Sequence, residues 1–142
     1  MVDDASMDLV AASLVLHYLP SWRGVMGEVR RVLKPGGRLV MSVHHPITGW
    51  LRSDGVDYHR TELIEEVWDV DGVQATAQMW RRPISDVFMP LIDEGFRVDR
   101  VEEPELGLTA DDVPDDHLRN ALNLSQVFLY VRAVSSPSSA RA

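Results

Sequence analysis

The chain has 142 residues, 45% of them hydrophobic, no cysteine, and a formal net charge of −8. This length and hydrophobic content are typical of one domain, and the lack of cysteine excludes disulfide frameworks, thiolate nucleophiles and cysteine-ligated zinc. The negative charge argues against nucleic-acid binding, which draws much of its affinity from basic side chains on phosphates. No apolar run reaches membrane-spanning length and the first residues lack the basic start of a signal peptide, so we expect a soluble cytoplasmic protein.

The first half of the chain predicts a β-α-β unit. Two apolar runs, Met7–Ser13 and Arg38–His44, have the length of buried strands. Between them an apolar stripe at helical spacing predicts a helix over Trp22–Leu33, with Ser21 as its cap. In parallel sheets ligands bind beyond the carboxyl ends of the strands, and here histidines follow both strands. The β-α-β unit therefore predicts a ligand cleft at this edge of the sheet. It also predicts a sheet that is covered on both faces.

A loop and a hairpin are predicted next. Residues Ile47–Arg60 are mixed in character and predict an irregular loop over the mouth of the cleft. The runs Glu66–Val70 and Val73–Trp80 flank the dipeptide Asp71-Gly72, which is suited to a type I′ turn. These residues predict a β-hairpin with one apolar face.

The last third of the chain predicts a helix and two strands. The helix spans Ser85–Glu94, with Ser85 as its cap, Gly95 as its stop and Phe88, Leu91 and Ile92 turned inward. Strands are expected over Phe96–Glu102 and Gln126–Val134, the second covered on both faces. Between them lies an acidic stretch, Leu106–Asp116, then a short helix within Asp115–Leu124, and we expect Ser135–Ala142 to be a disordered tail.

Two groups of motifs carry a family resemblance. The first group is Asp4-Ala5-Ser6-Met7-Asp8-Leu9-Val10, Leu16-His17-Tyr18-Leu19, Glu28-Val29-Arg30-Arg31-Val32-Leu33-Lys34-Pro35-Gly36-Gly37 and Ser42-Val43-His44-His45-Pro46. The second is Trp80-Arg81-Arg82-Pro83-Ile84-Ser85, Glu94-Gly95-Phe96, Glu102-Glu103-Pro104 and Phe128-Leu129-Tyr130-Val131. In this order they resemble the class I S-adenosylmethionine (SAM) dependent methyltransferases with a type 11-like domain.

The resemblance implies a fold and a domain organisation. It implies an α/β chain with a partial Rossmann-like class I methyltransferase fold, namely strands four to seven with a β-hairpin insertion and flanking helices. Residues 1–134 would form the C-terminal portion of the domain. The family's glycine-rich SAM-binding half should precede Val2, so we expect a truncated form that binds SAM weakly or not at all. The first strand, Met7–Ser13, would then have an exposed edge open to a homodimer or a partner chain.

The resemblance also implies roles for particular residues. His17 and His45 are the catalytic candidates, and Ala12, Ser13 and His17 are the residues expected to bind SAM. The residues expected to bind a small-molecule methyl acceptor are His44, Tyr58, Trp80 and Arg82. No metal site is expected, because no acidic or histidine partner stands at helical spacing beside the His44-His45 pair.

Each candidate also has a structural interpretation. His17 could simply close the turn after its strand, and the His44-His45 pair could pack before Pro46. Trp68 is more typical of a core residue than of a pocket wall. The acidic side chains of the last third are most simply a solvated surface: Glu102, Glu103, Glu105, Asp111, Asp112, Asp115 and Asp116.

Three functions follow from these observations. SAM-dependent transfer of a methyl group to a small molecule is the first. The second is a non-catalytic interaction module or a partner subunit that completes a split methyltransferase. The third, a nucleotide-dependent oxidoreductase, is disfavoured because Gly36-Gly37 precedes its strand, whereas a phosphate-binding glycine loop follows one.

Overall fold

The computed structural model describes residues 2–51, 57–70, 72–104 and 127–136, with the side chains at positions 66, 68 and 70 left aside. The strands are β1 (Met7–Ser13), β2 (Leu33–His44), β3 (Glu62–Val70), β4 (Val73–Arg81), β5 (Phe96–Glu102) and β6 (Phe128–Ser135). The helices are α1 (Arg23–Val32), α2 (Pro46–Leu51) and α3 (Ser85–Asp93), and a short 3-10 helix spans Leu16–Tyr18. No helix of the described part is long and apolar enough to cross a membrane.

The main sheet has four strands in the order β1-β2-β6-β5. β1 and β2 are parallel, as the predicted β-α-β unit requires, and Val10 pairs with Leu39 in their register. β6 runs antiparallel to both β2 and β5. β3 and β4 form a separate antiparallel hairpin. The predicted α/β, Rossmann-like class is confirmed.

One face of the main sheet and the helices α1 and α3 enclose the core. Alternate residues of the strands point to this face because side chains alternate along a strand. The core side chains are Leu16, Trp22, Met26, Leu33, Leu39, Met41, Val43, Val87, Leu91, Phe96, Leu129, Val131 and Ala133. This packing holds the carboxyl ends of β1 and β2 in fixed positions beside each other.

The opposite face of the sheet remains open in the described part of the chain. Leu9 is 56% exposed, Val40 38% and Tyr130 42%. The prediction that both faces of the unit and of the last strand are covered is therefore wrong for these residues. The physical reason is that α1 and α3 pack on the same face, so nothing among the described elements covers the other one.

The helix starts differ from the sequence prediction. α1 has Trp22 as its N-cap and α3 has Ile84, and neither makes a side-chain cap bond, so the predicted caps at Ser21 and Ser85 are wrong. At α3 the amides of Asp86 and Val87 bond to carbonyls three residues earlier, which satisfies donors that a cap would otherwise serve.

The interior of α3 is only partly as predicted. Leu91 is buried and Phe88 packs against the core, but Ile92 is 53% exposed. The buried residues Val87, Pro90 and Leu91 lie three and four positions apart on one stripe, and Ile92 falls outside that stripe. The helix does stop just before Gly95, as predicted. The φ of Gly95 is 80°, the left-handed conformation that glycine adopts after a helix end.

Two segments are more regular than the sequence indicates. The predicted loop over 47–60 begins with a helix, Pro46–Leu51, since proline is favoured in the first turn of a helix. Residues 52–56 lie outside the description. The second strand begins at Leu33, five residues before the predicted Arg38, because Leu33 pairs with Met7.

The remaining boundaries are close to prediction. The hairpin strands are longer than expected, and the turn type lies outside the described residues because residue 71 does. β6 extends through Ser135, which is fully buried. The carbonyl of Ser136 accepts a hydrogen bond from Arg30 Nη2 at 2.6 Å. The expected tail therefore does not begin at Ser135. Residues 137–142, the segment 105–126 with its predicted short helix, and the side chain of Trp68 lie outside the description.

Candidate active site

A cavity of about 220 Å³ lies at the carboxyl ends of β1 and β2. Its walls come from the turn after β1, the end of β2, the start of α2, the end of β4 and the start of β6. Aromatic and apolar side chains form much of the lining, among them Trp22, Val43, Met79, Trp80, Val87 and Phe128. This is the edge at which open α/β sheets bind their ligands. The hairpin β3-β4 therefore closes a pocket that the sheet alone would leave open.

Two histidines form a stacked pair in the wall of the cavity. The rings of His17 and His44 have centroids 4.4 Å apart and planes 18° from parallel, and Phe128 lies 5.9 Å from His44. His17 reaches this position because the chain turns sharply after β1, with Leu14 at a φ of 47°. The indole Nε1 of Trp22 donates to the carbonyl of Leu16 at 2.7 Å and so fixes the 3-10 turn that carries His17.

His45 is held on both sides of its ring. Its residue is 3% exposed, and Nε2 lies 2.7 Å from Glu103 Oε1. The backbone N–H of Ile47 donates to Nδ1 at 3.2 Å. Since Nδ1 accepts, the neutral ring carries its proton on Nε2 and donates it to Glu103. Both ring nitrogens therefore face protein groups.

Two consecutive arginines at the end of β4 line the cavity, and both are buried. Arg81 is 4% exposed, and its Nη2 lies 2.6 Å from Glu62 Oε1 and 3.1 Å from the carbonyl of Asp57. Arg82 is 6% exposed, and its Nη2 donates to the carbonyl of Leu19 at 2.6 Å. The two side chains therefore differ in their partners, a carboxylate for Arg81 and a carbonyl for Arg82.

The guanidinium of Arg82 also lies over an aromatic ring, 4.4 Å from the centroid of Trp22. Burial lowers the pKa of Arg82 to about 10, while the negative charge of Asp86 acts in the opposite direction. The group is thus still cationic at neutral pH. A cation over the face of an indole is a favourable arrangement.

The cavity brings together five of the eight side chains singled out in the sequence. These are His17, His44, His45, Trp80 and Arg82. Tyr58 lies outside the lining, with its hydroxyl oxygen accepting from the N–H of Ile84 at 3.0 Å. Ala12 packs against the core, and the Ser13 hydroxyl lies 3.2 Å from that of Ser42.

Three residues near the cavity were not predicted to take part in it. Trp22 fits an apolar helix stripe, Arg81 belongs to a motif of the family resemblance that gives it no role, and Glu103 belongs to an acidic run that predicts a solvated surface. Glu103 instead binds His45 across 58 positions of sequence. No local pattern in the sequence signals such a contact. Within the described ranges, no three His, Asp or Glu side chains are grouped so that they could hold a metal ion.

The chain resembles known methyltransferases in sequence and in fold. A family model described as "Methyltransferase domain" matches residues 1–41. The human thiol S-methyltransferase TMT1B is 37% identical over 82 residues, which cover 55% of this chain and 31% of that protein. The resemblance to the class I SAM-dependent methyltransferases is confirmed.

Solved methyltransferase structures share the fold over nearly the whole chain. A Listeria monocytogenes protein described as a SAM-dependent methyltransferase superposes with a TM-score of 0.73 at 22% identity, over 96% of this chain and 65% of that one. A SAM-dependent methyltransferase from Mesorhizobium loti gives a TM-score of 0.60 at 25% identity, over 94% of this chain and 63% of that one. The match spans about a third of the length of the human and rat thiol S-methyltransferases TMT1B.

Proposed function

We propose that the protein containing this chain transfers a methyl group from SAM to a small-molecule acceptor, and that the cavity binds the acceptor. The observation that carries the proposal is the position of the cavity, at the carboxyl ends of two parallel strands in a methyltransferase fold. Its volume of about 220 Å³ suits part or all of a small molecule, because a cavity of about 150 Å³ already accommodates benzene.

The chemistry makes modest demands on side chains. SAM supplies an activated methyl group on a sulfonium sulfur, which the acceptor displaces directly. The protein's contribution is to align the acceptor with the methyl carbon and to exclude water. A pocket with largely aromatic and apolar walls can do both, so the lining described above is consistent with this role.

The residues at the end of β1 fit the donor. Ser13 is exposed at the end of β1, and the chain turns at Leu14 before the 3-10 helix that carries His17. β1 is an edge strand of the described sheet, so part of its backbone is open to contacts with the methionine portion of SAM. His17 would then lie on the donor side of the cavity, and its stacked partner His44 on the acceptor side.

His45 is a catalytic candidate by sequence, but we propose a positioning role for it. Its bonds to Glu103 and to the amide of Ile47 hold the turn between β2 and α2. We therefore assign it as a positioning residue for the neighbouring His44. The catalytic step then needs no proton transfer to His45.

Methyl transfer is tested with tritiated SAM and a panel of small acceptors, using the whole native protein in which this chain occurs. We expect transfer to at least one acceptor, and a decrease of about tenfold or more in kcat/KM for His17→Ala and His44→Ala, as for loss of well-aligned positioning contacts. The matched control is His59→Ala, because His59 is exposed and lies outside the cavity lining. Full activity in both cavity variants would refute the site assignment. Failure of the native protein to bind SAM or its demethylated product would refute the function.

A further inference from the structure

Arg82 is a buried cation beside the cavity. It directly follows β4, lines the cavity and is 6% exposed. Removing a charged group from water is unfavourable unless the protein or a ligand supplies compensating partners. The partners of Arg82 therefore indicate whether the protein compensates this charge by itself.

The described residues compensate Arg82 only in part. One guanidinium nitrogen donates to the carbonyl of Leu19, and the ring of Trp22 lies below the group. The Nε atom is buried and has no hydrogen-bond partner among the described residues. Among the described residues no carboxylate lies within ion-pair distance of Arg82; that of Asp86 accepts a bond from Thr61 Oγ1 at 2.7 Å.

The neighbouring arginine shows the usual solution for a buried cation. Arg81 is equally buried, and Glu62 Oε1 accepts bonds from both its Nε at 3.1 Å and its Nη2 at 2.6 Å. The other carboxylate near the lining, that of Glu103, binds His45. Both of these carboxylates thus have partners already, while Arg82 keeps donor capacity next to an open volume.

We propose that Arg82 binds an anionic oxygen group of the methyl acceptor, a carboxylate or a phosphate. The acceptor is then a small molecule with an apolar or aromatic body and one anionic group. The body lies against Trp80 and Phe128, and the anion supplies the partner that Arg82 lacks. This inference rests on the proposed function, because it names the acceptor class for the same cavity. Arginine suits the task because its planar fork matches the geometry of carboxylates and phosphates.

The test uses three probes that share a phenyl ring and differ in charge. Benzoate and phenyl phosphate carry the anion, and benzamide is the neutral counterpart of benzoate. Each is titrated into the ¹⁵N-labelled chain without SAM, and binding is followed by NMR at the indole N–H groups of Trp22 and Trp80 and at the Nε–H of Arg82. We expect benzoate or phenyl phosphate to bind about tenfold more tightly than benzamide, the ratio that one charge-assisted hydrogen bond supports.

Two substitutions locate the preference. Arg82→Met removes the charge with little change of length, and we expect it to bind benzoate and benzamide equally. Arg82→Lys keeps the charge, and we expect it to retain part of the preference. The matched control, Arg97→Met, removes one exposed positive charge and should leave the preference unchanged. A melting curve for each variant reports whether it folds.

The outcomes separate this inference from the proposed function. The inference is supported if the unchanged chain prefers the anionic probes and Arg82→Met abolishes that preference. If Arg82→Met fails to fold, a shift of the Arg82 Nε–H resonance of the unchanged chain with benzoate but not with benzamide supports it instead. Equal binding of all three probes by the unchanged chain, or an unaltered preference in folded Arg82→Met, overturns it. The titration contains no SAM, so its failure would leave the proposed function intact. Methyl transfer to neutral acceptors would likewise support that function while refuting this inference.

Discussion

Replacement of Trp22 tests whether one side chain connects the core to the cavity. Trp22 is 1% exposed, donates its indole N–H to Leu16 and lies below the guanidinium of Arg82. Trp22→Phe keeps a ring face but removes the donor. Trp22→Leu removes both the donor and the ring.

The magnitudes follow from these contacts. Without the indole N–H, the carbonyl of the buried Leu16 loses one of its two partners and still accepts a bond from the N–H of Leu19, so the loss costs about 0.5–1.5 kcal/mol of unfolding free energy. Trp22→Leu also removes the cation–π contact with Arg82, about 0.5–2 kcal/mol. We therefore expect the lost hydrogen bond to destabilise Trp22→Phe by about 0.5–1.5 kcal/mol, and the lost ring contact to destabilise Trp22→Leu by about 1 kcal/mol more, before the cost of the cavity that leucine leaves.

The assay is urea denaturation followed by circular dichroism, carried out as a double-mutant cycle. Trp22→Leu and Arg82→Met are made singly and together, and their coupling energy isolates the contact between the two side chains. We expect a coupling of about 1 kcal/mol. The control cycle combines Arg82→Met with Leu39→Ala, since Leu39 is fully buried but lies five residues along β2 from His44. Its coupling should be within about 0.5 kcal/mol of zero.

Two results would refute this reasoning. If Trp22→Phe changed the unfolding free energy by less than about 0.5 kcal/mol, the bond to Leu16 would not stabilise the turn. If Trp22→Leu and Arg82→Met were additive, the guanidinium would not interact with the ring in solution.

Four further predictions follow from other parts of the fold. Gly95→Ala should cost about 1–2 kcal/mol because φ is 80° there, whereas Gly24→Ala in α1 should be neutral or stabilising by up to about 1 kcal/mol; equal melting temperatures for the two would contradict this. Long-range ¹H–¹⁵N NMR should show neutral His45 with its proton on Nε2, and Glu103→Ala should change that resonance; a proton on Nδ1 would exclude the hydrogen bonding described above. Leu9→Lys should increase the monomer fraction in light scattering, because Leu9 lies in the edge strand β1 and is 56% exposed, and a monomeric unchanged chain would argue against association there. Calorimetry on this chain by itself should find weak or no SAM binding, since no described strand leads into a glycine-rich loop; micromolar binding would be the contrary result.

The sequence predicts the elements whose signals are local. The spacing of apolar residues locates α1, β1 and β5 nearly to the residue, and Gly95 correctly marks the end of α3. Local signals fail where neighbouring residues are equally suited to cap a helix or to face the core. Ser21 and Ser85 have cap chemistry, but neither helix has a side-chain cap bond, and at α3 backbone bonds satisfy the first-turn amides instead. Ile92 is apolar but falls outside the buried stripe.

The candidate site depends on contacts that are distant in sequence. His17, His44 and Arg82 could be singled out by motif, but their meeting in one cavity requires the hairpin to pack against the sheet edge. The hydrogen-bond partners that distinguish the roles of the cavity residues are also distant in sequence. His45 meets Glu103 across 58 positions, and Arg82 meets Leu19 across 63.

The sequence by itself determined the β-α-β unit and the bounds of α1, β1 and β5, because periodicity and turn chemistry act between neighbouring residues. Only the tertiary structure decided which charged side chains are compensated. Two adjacent arginines look alike in the sequence, yet Arg81 lies against Glu62 and Arg82 does not lie against any described carboxylate. Charge compensation depends on distances between side chains from separate elements, and packing of those elements sets these distances.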